Sequence, residues 1–113
     1  MTIDERRVGA VTILALRGRL VLDDGDDLLR AHVDALVTEG RLKVIADLTG
    51  IDYIDSAGVG VLIAKFLSLR RNGGDLRLLH PSPRASHVLE TAHLLTIFPH
   101  FTTEDAALRS FEE

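Results

Sequence analysis

The chain has no cysteine among its 113 residues, only three prolines, and an aromatic share of 4%. Without cysteine there is no disulfide framework, no thiol nucleophile and no cysteine metal site, which fits a reducing compartment. Few aromatics leave no base-stacking platform, and a formal net charge of −4 leaves no phosphate-neutralising stripe. Direct nucleic-acid binding is therefore disfavoured. The basic cluster Arg70-Arg71 ends an expected helix, where cations complement the helix dipole. No apolar run is long enough to span a bilayer, and the start, MTIDERRVGA, lacks the apolar core of a signal peptide. The expectation is a cytoplasmic protein with no membrane partner.

What is present is enough apolar residue, 46%, for one packed domain over 1–113. Residues 3–8 read as a short strand and Val8-Gly9-Ala10 as a turn. VTILALRGRL is a strand apolar on both faces, with Val11, Ile13 and Ala15 on one and Leu14 and Leu16 on the other, hence buried on both. These two strands should pair as an antiparallel hairpin. Acidic DDGDD then opens a helix bearing Leu28, Leu29, Val33, Leu36 and Val37, stopped by Gly40. KVIADL (43–48) is a second buried strand, followed by a loop. Val59, Leu62, Ile63, Phe66 and Leu67 then recur at helical spacing up to Asn72-Gly73-Gly74. DLRLLH (75–80) is a third buried strand. Pro81 and Pro83 mark a helix over about 83–92, LLTIF (94–98) an edge strand ended by Pro99, and Ala106, Ala107 and Phe111 a last helix over about 103–111.

The order β-β-α-β-α-β-α-β-α predicts an α/β domain. Its sheet is mixed, with four or five strands and an antiparallel N-terminal hairpin, and carries about four helices. Sites in such folds favour the carboxyl ends of strands. The acidic stretches 23–27 and 47–55 both follow strand ends and should share one rim.

The stretch "DLTGIDYIDSAGVG" (47–60) concentrates the chemistry. Ser56 precedes a helix, where a serine commonly caps a free amide. Gly58 and Gly60 would permit close backbone approach. Enzyme readings fail on spacing. The nucleophile turn G-x-S-x-G lacks its first glycine, because Ile54 stands there. No Lys follows in the manner of a phosphate-binding loop, and the dinucleotide fingerprint lacks its third glycine. Two readings stay open for Ser56: a cap, or an exposed hydroxyl that accepts a phosphate at a helix N-terminus. Such a phosphate would carry charge onto a rim already holding Asp23, Asp24, Asp52 and Asp55.

The motif "DLTGIDYIDSAGVGVLIAKFLSLRRNGGDLRLL" (47–79) resembles the STAS domain family, above all its stand-alone bacterial anti-sigma factor antagonists. "LRGRLVLDDGDDLLR" is similar to the family's early G-x-L segment and helix start. The resemblance implies a protein that binds an anti-sigma factor serine kinase and so frees a sigma factor. It also implies phosphorylation of the serine after Asp, here Ser56, by that kinase, with reversal by a metal-dependent serine phosphatase. The chain would then be no enzyme, with no cofactor and no metal of its own. Partner-binding residues would be Asp23, Asp24, Tyr53, Ile54, Asp55, Ser56, Ala57 and Gly58. One position departs from the pattern: many members carry an Asp where this chain has Val21, with Asp23 and Asp24 close behind. That departure leaves an alternative, a non-phosphorylated STAS interaction or scaffold module in another regulatory or transport assembly.

The remaining residues read as structural. His32, His80, His87, His93 and His100 lack metal-ligand spacing and are expected at the surface or satisfied in place. Asp47 should cap a turn, and Phe98 and Phe101 belong to the core. Tyr53 and Ile54 divide between inward packing and an exposed anchor for a partner.

Overall fold

The computed structural model describes residues 1–80 and 82–112; Pro81, expected to help mark a helix start, and Glu113 lie outside the described residues. The first two strands, β1 (Thr2–Val8) and β2 (Val11–Leu20), pair antiparallel. They are followed by α1 (Asp26–Thr38), β3 (Lys43–Ile54), α2 (Ser56–Arg71), β4 (Asp75–Leu79), α3 (Pro83–Thr91), β5 (His100–Phe101) and α4 (Glu104–Arg109). The strands lie in the order β1-β2-β3-β4-β5, and every pairing after the first is parallel.

Alternation along β2 builds two unequal cores. Leu14, Leu16 and Leu20 face α1, α2 and α3, packing with Val33, Leu62, Phe66 and Leu89 in the main cluster. On the other face, Val11 and Ile13 join Ile45, Leu79 and Ala107, with Phe101, Leu108 and Phe111 against them. Three helices therefore cover one face, while the short α4 covers part of the other. This accounts for strands that are apolar on both sides. Ion pairs tie the periphery: Lys65 of α2 reaches Asp34 of α1 at 2.7 Å, and Arg7 of β1 reaches Glu39 at 2.8 Å.

Three expectations are corrected. β3 does not stop at residue 48 but runs to Ile54. β2 continues beside it and supplies partners from Gly50 to Ile54, with register shifts between Ala15 and Arg17 and between Gly18 and Arg19. Pairing with a neighbour thus overrides the Gly50 and Asp52 that read as a loop, and Thr49, Ile51 and Tyr53 suit a strand. Secondly, LLTIF is not a strand. His93 has φ of 57°, turning the chain after α3, and Leu94 and Phe98 plug the core, the Phe98 ring 4.7 Å from that of Phe66. The fifth strand begins only after Pro99. Thirdly, the α2 stripe is rotated. Val61, Leu62, Phe66 and Leu69 are buried with Gly58, whereas Leu67 is 48% exposed and Val59 and Ile63 are half-buried. Helix α2 is apolar most of the way round, so spacing alone admits two stripes and packing chooses one. Leu28 on α1 is likewise exposed.

His80 is buried at the end of β4 with both ring nitrogens engaged, Nδ1 with Ser86 Oγ at 2.8 Å and Nε2 with His100 Nδ1 at 2.9 Å. Burial, reinforced by His100, holds its pKa below the ordinary histidine value.

Candidate functional site

The end of β3 turns directly into α2, and Asp55 makes the junction. Its backbone is extended, with φ of −96° and ψ of −175°. Its Oδ1 accepts from the Gly58 amide at 2.9 Å and its Oδ2 from the Leu22 amide at 3.1 Å. Its own amide donates to the Leu20 carbonyl at 3.3 Å. The helix cap is therefore Asp55, not Ser56. One carboxylate closes α2 and ties it to the loop after β2. These amide bonds hold the Asp55 carboxyl below the usual carboxylate range.

With the cap supplied by its neighbour, Ser56 is the first helical residue. It is exposed, and its hydroxyl makes no hydrogen bond to another described residue. Ala57 is half-buried behind it. Gly58 is buried, and a Cβ there would stand 2.2 Å from the Leu20 carbonyl oxygen and 2.9 Å from Ile54 Cγ2. The close helix–strand approach expected of the glycines thus belongs to Gly58; a Cβ at Gly60 would meet nothing within 4 Å.

The loop after β2 forms the second half of the rim. The Val21 carbonyl accepts from the amides of Asp24, Gly25 and Asp26 at 3.2, 3.1 and 3.3 Å, so Val21 closes the start of α1 through its backbone. Asp23 is exposed at φ of 60°, and its amide donates to the buried Asp26 carboxylate at 2.9 Å. Asp24 Oδ1 accepts from the Met1 amino group at 2.8 Å. The Leu22–Asp55 bond brings this loop to Ser56, so Asp23, Asp24, Asp52 and Asp55 do gather at one end of the sheet. Asp47 does not join them. It sits within β3, paired with Ala15 and Leu79, and its Oδ1 takes the Thr49 amide at 3.0 Å and hydroxyl at 2.6 Å, a local turn-type cap.

Tyr53 and Ile54 separate. Tyr53 is 54% exposed on the rim, with the Arg19 guanidinium 6.0 Å from its ring centroid. Ile54 is 8% exposed and belongs to the core, so its side chain is not the apolar anchor. Leu22 is a rim residue that sequence reasoning missed. It is 63% exposed, and an apolar residue stranded between a finished strand and an acidic run was the available signal. Beside Ser56 lies a groove of about 610 Å³, walled by Asp52 to Ser56 and Val59 on one side and by His87, Val88 and Thr91 of α3 with the following Ala92 on the other. His87 thus lines the same groove as Ser56, a juxtaposition invisible in sequence, and no hydrogen bond links them. Asp55 spends its oxygens on backbone amides. Among the described residues no side chain is hydrogen-bonded to the Ser56 hydroxyl, which is exposed.

Among the described residues no helix is long and apolar enough to cross a membrane, and no group of three or more His, Asp or Glu could hold a metal ion. Residues 2–107 match the family model described as the STAS domain. A Bordetella bronchiseptica protein named "Putative anti-sigma factor antagonist BtrV" is 32% identical over 106 residues, covering 94% of this chain and 90% of that protein. An anti-sigma F factor antagonist of Paenibacillus polymyxa is 24% identical over 103 residues, covering 90% and 87%. Among solved structures, a Thermotoga maritima protein described as a putative anti-sigma factor antagonist has a TM-score of 0.84 at 24% identity, covering 98% of this chain and 95% of that one. The anti-sigma factor antagonist SpoIIAA in its unphosphorylated form has a TM-score of 0.76 at 20% identity, covering 98% of each chain. At those identities the structures speak to the fold, and the family match to the whole motif around Ser56: the chain belongs to the STAS domain family.

Proposed function

We propose that this chain is an anti-sigma factor antagonist acting in the cytoplasm. In this reading it binds an anti-sigma factor serine kinase through the rim around Ser56, and phosphorylation of Ser56 switches that binding off. The observation that carries the reading is the division of labour at the start of α2: Asp55 caps the helix, so the Ser56 hydroxyl is exposed and unengaged. Leu22 and Tyr53 offer apolar surface beside it, and Asp23 offers charge. The name carried by the 32% identical Bordetella relative supports the same reading.

The kinase would form the bond between Ser56 Oγ and the γ-phosphorus of ATP, release ADP, and take the hydroxyl proton on its own base. A metal-dependent phosphatase would hydrolyse the ester. The added group carries about −1.5 to −2 charge at neutral pH. The α2 N-terminus offsets part of this, by about 0.3–1 kcal/mol and at most ~2, so the fold itself changes little. A partner seated on the rim meets misplaced charge that costs several kcal/mol, and ~3 kcal/mol already exceeds a hundredfold in affinity. The test is incubation with the anti-sigma kinase of the same genome and ATP, followed by mass-spectrometric mapping. One phosphate on Ser56, and none on Ser56→Ala, is expected; phosphate elsewhere, or none from a kinase that forms the complex, removes the reading.

A second reading, a constitutive interaction module, is favoured by one observation. Val21 stands where the family resemblance leads one to expect an acid, and Asp24, close behind it, is engaged with the Met1 amino group. It predicts that Ser56→Asp and wild type bind the partner equally well.

A further inference from the structure

The groove beside Ser56 is walled on its far side by α3, which carries one basic side chain in the wall and a second beside it. His87 lines the groove, and Arg84, three residues earlier, shares a helix face with it. Arg84 is ion-paired with Asp52, which lines the same groove four residues before Ser56. That pair is open to water, its side chains 68% and 51% exposed, and a pair of that kind holds weakly. The anions on the near wall are Asp52 and Asp55, and Asp55 is already committed to the amides of Gly58 and Leu22. Arg19 stands by the Tyr53 ring.

Resting on the reading of Ser56 as the phosphate acceptor, we propose that the phosphate is held within the chain by Arg84 and His87 of α3, drawing Arg84 from Asp52 toward the groove. A phosphoserine offers more charge than one carboxylate and three acceptor oxygens, and the guanidinium fork matches phosphate geometry. His87 adds a donor, and a second positive charge when protonated. The modification would then act twice: it places charge on the rim, and it narrows the groove beside Ser56.

The experiment installs phosphoserine at position 56 by genetic encoding, so no kinase is needed, and follows the phosphate by phosphorus NMR across pH. An adjacent cation lowers the pKa of an acid it contacts, whereas the α2 N-terminus acts equally in every variant. The second phosphate pKa is expected to rise by about half a unit or more in Arg84→Ala/His87→Ala. Arg84→Lys, which keeps charge and loses the fork, should fall between. In the wild type, phosphorylation should also shift the amide resonances of residues 84–91. Both replaced side chains are exposed, and circular dichroism of the unphosphorylated variants should match wild type. An identical phosphate pKa in wild type and double variant overturns the proposal. Failure of the kinase to label Ser56 would instead remove the functional reading and would leave this titration as it stands.

Discussion

Two serines stand at helix starts in this chain and do opposite things. Ser82 precedes α3, and its hydroxyl accepts from the Ala85 amide at 3.1 Å, an ordinary N-cap with Pro83 in the first turn. Ser56 stands at the start of α2, but the cap is one residue earlier, at Asp55, and the hydroxyl is left over. A shift of one position turns a structural hydroxyl into an available one. The cost falls on Asp55, which must satisfy the helix amide and the neighbouring loop together. What makes Ser56 a candidate acceptor is therefore the engagement of its neighbour.

Substitutions around the two helix starts can break this contrast, and their effects should descend in order. Gly58→Ala forces a Cβ against the Leu20 carbonyl and should destabilise by about 2–3 kcal/mol despite alanine's better helix propensity; urea unfolding measures it. Asp55→Ala removes the cap and the tie to Leu22 together and should lower the melting temperature. That loss depends on pH in a defined direction. The folded carboxyl is held below its ordinary value of 3.8, so its contribution is complete above that value and disappears as pH falls through the folded pKa. The gap in melting temperature between wild type and Asp55→Ala should be full at about pH 6 and shrink toward pH 3. A gap constant with pH would mean that Asp55 acts by packing alone.

Ser82→Ala should cost about 1 kcal/mol as a lost cap. Ser56→Ala should stay within about ±0.5 kcal/mol, the smallest effect, measurable in the same unfolding series. If the two serine variants were equally destabilised, the contrast between a used and an unused hydroxyl would fail.

The residues explain why the start of α3 was readable and the cap of α2 was not. Ser-Pro before a helix announces a cap, because Pro suits the first turn. Asp-Ser offers two capping residues in succession, and spacing cannot choose between them; the loop after β2 chooses, by giving Asp55 a second amide at Leu22. The same logic runs through the fold. β2, α1 and β4 follow from local periodicity. The second half of β3 is interrupted by Gly50 and Asp52, and its extension shows only in its pairing with β2. The Tyr53–Ile54 pair divides inward and outward by the alternation of that unforeseen strand. The approach of α3 to Ser56, with Arg84 and His87, joins segments about thirty residues apart and leaves no trace in either.

The central claim is that the hydroxyl at Ser56 is a free switch on a binding rim. The most direct measurement is calorimetric titration of the anti-sigma kinase of the same genome with two forms of the chain, unmodified and carrying phosphoserine at 56. Binding by the unmodified chain, weakened more than a hundredfold by the phosphate, is the predicted result; equal affinity of the two forms would contradict it.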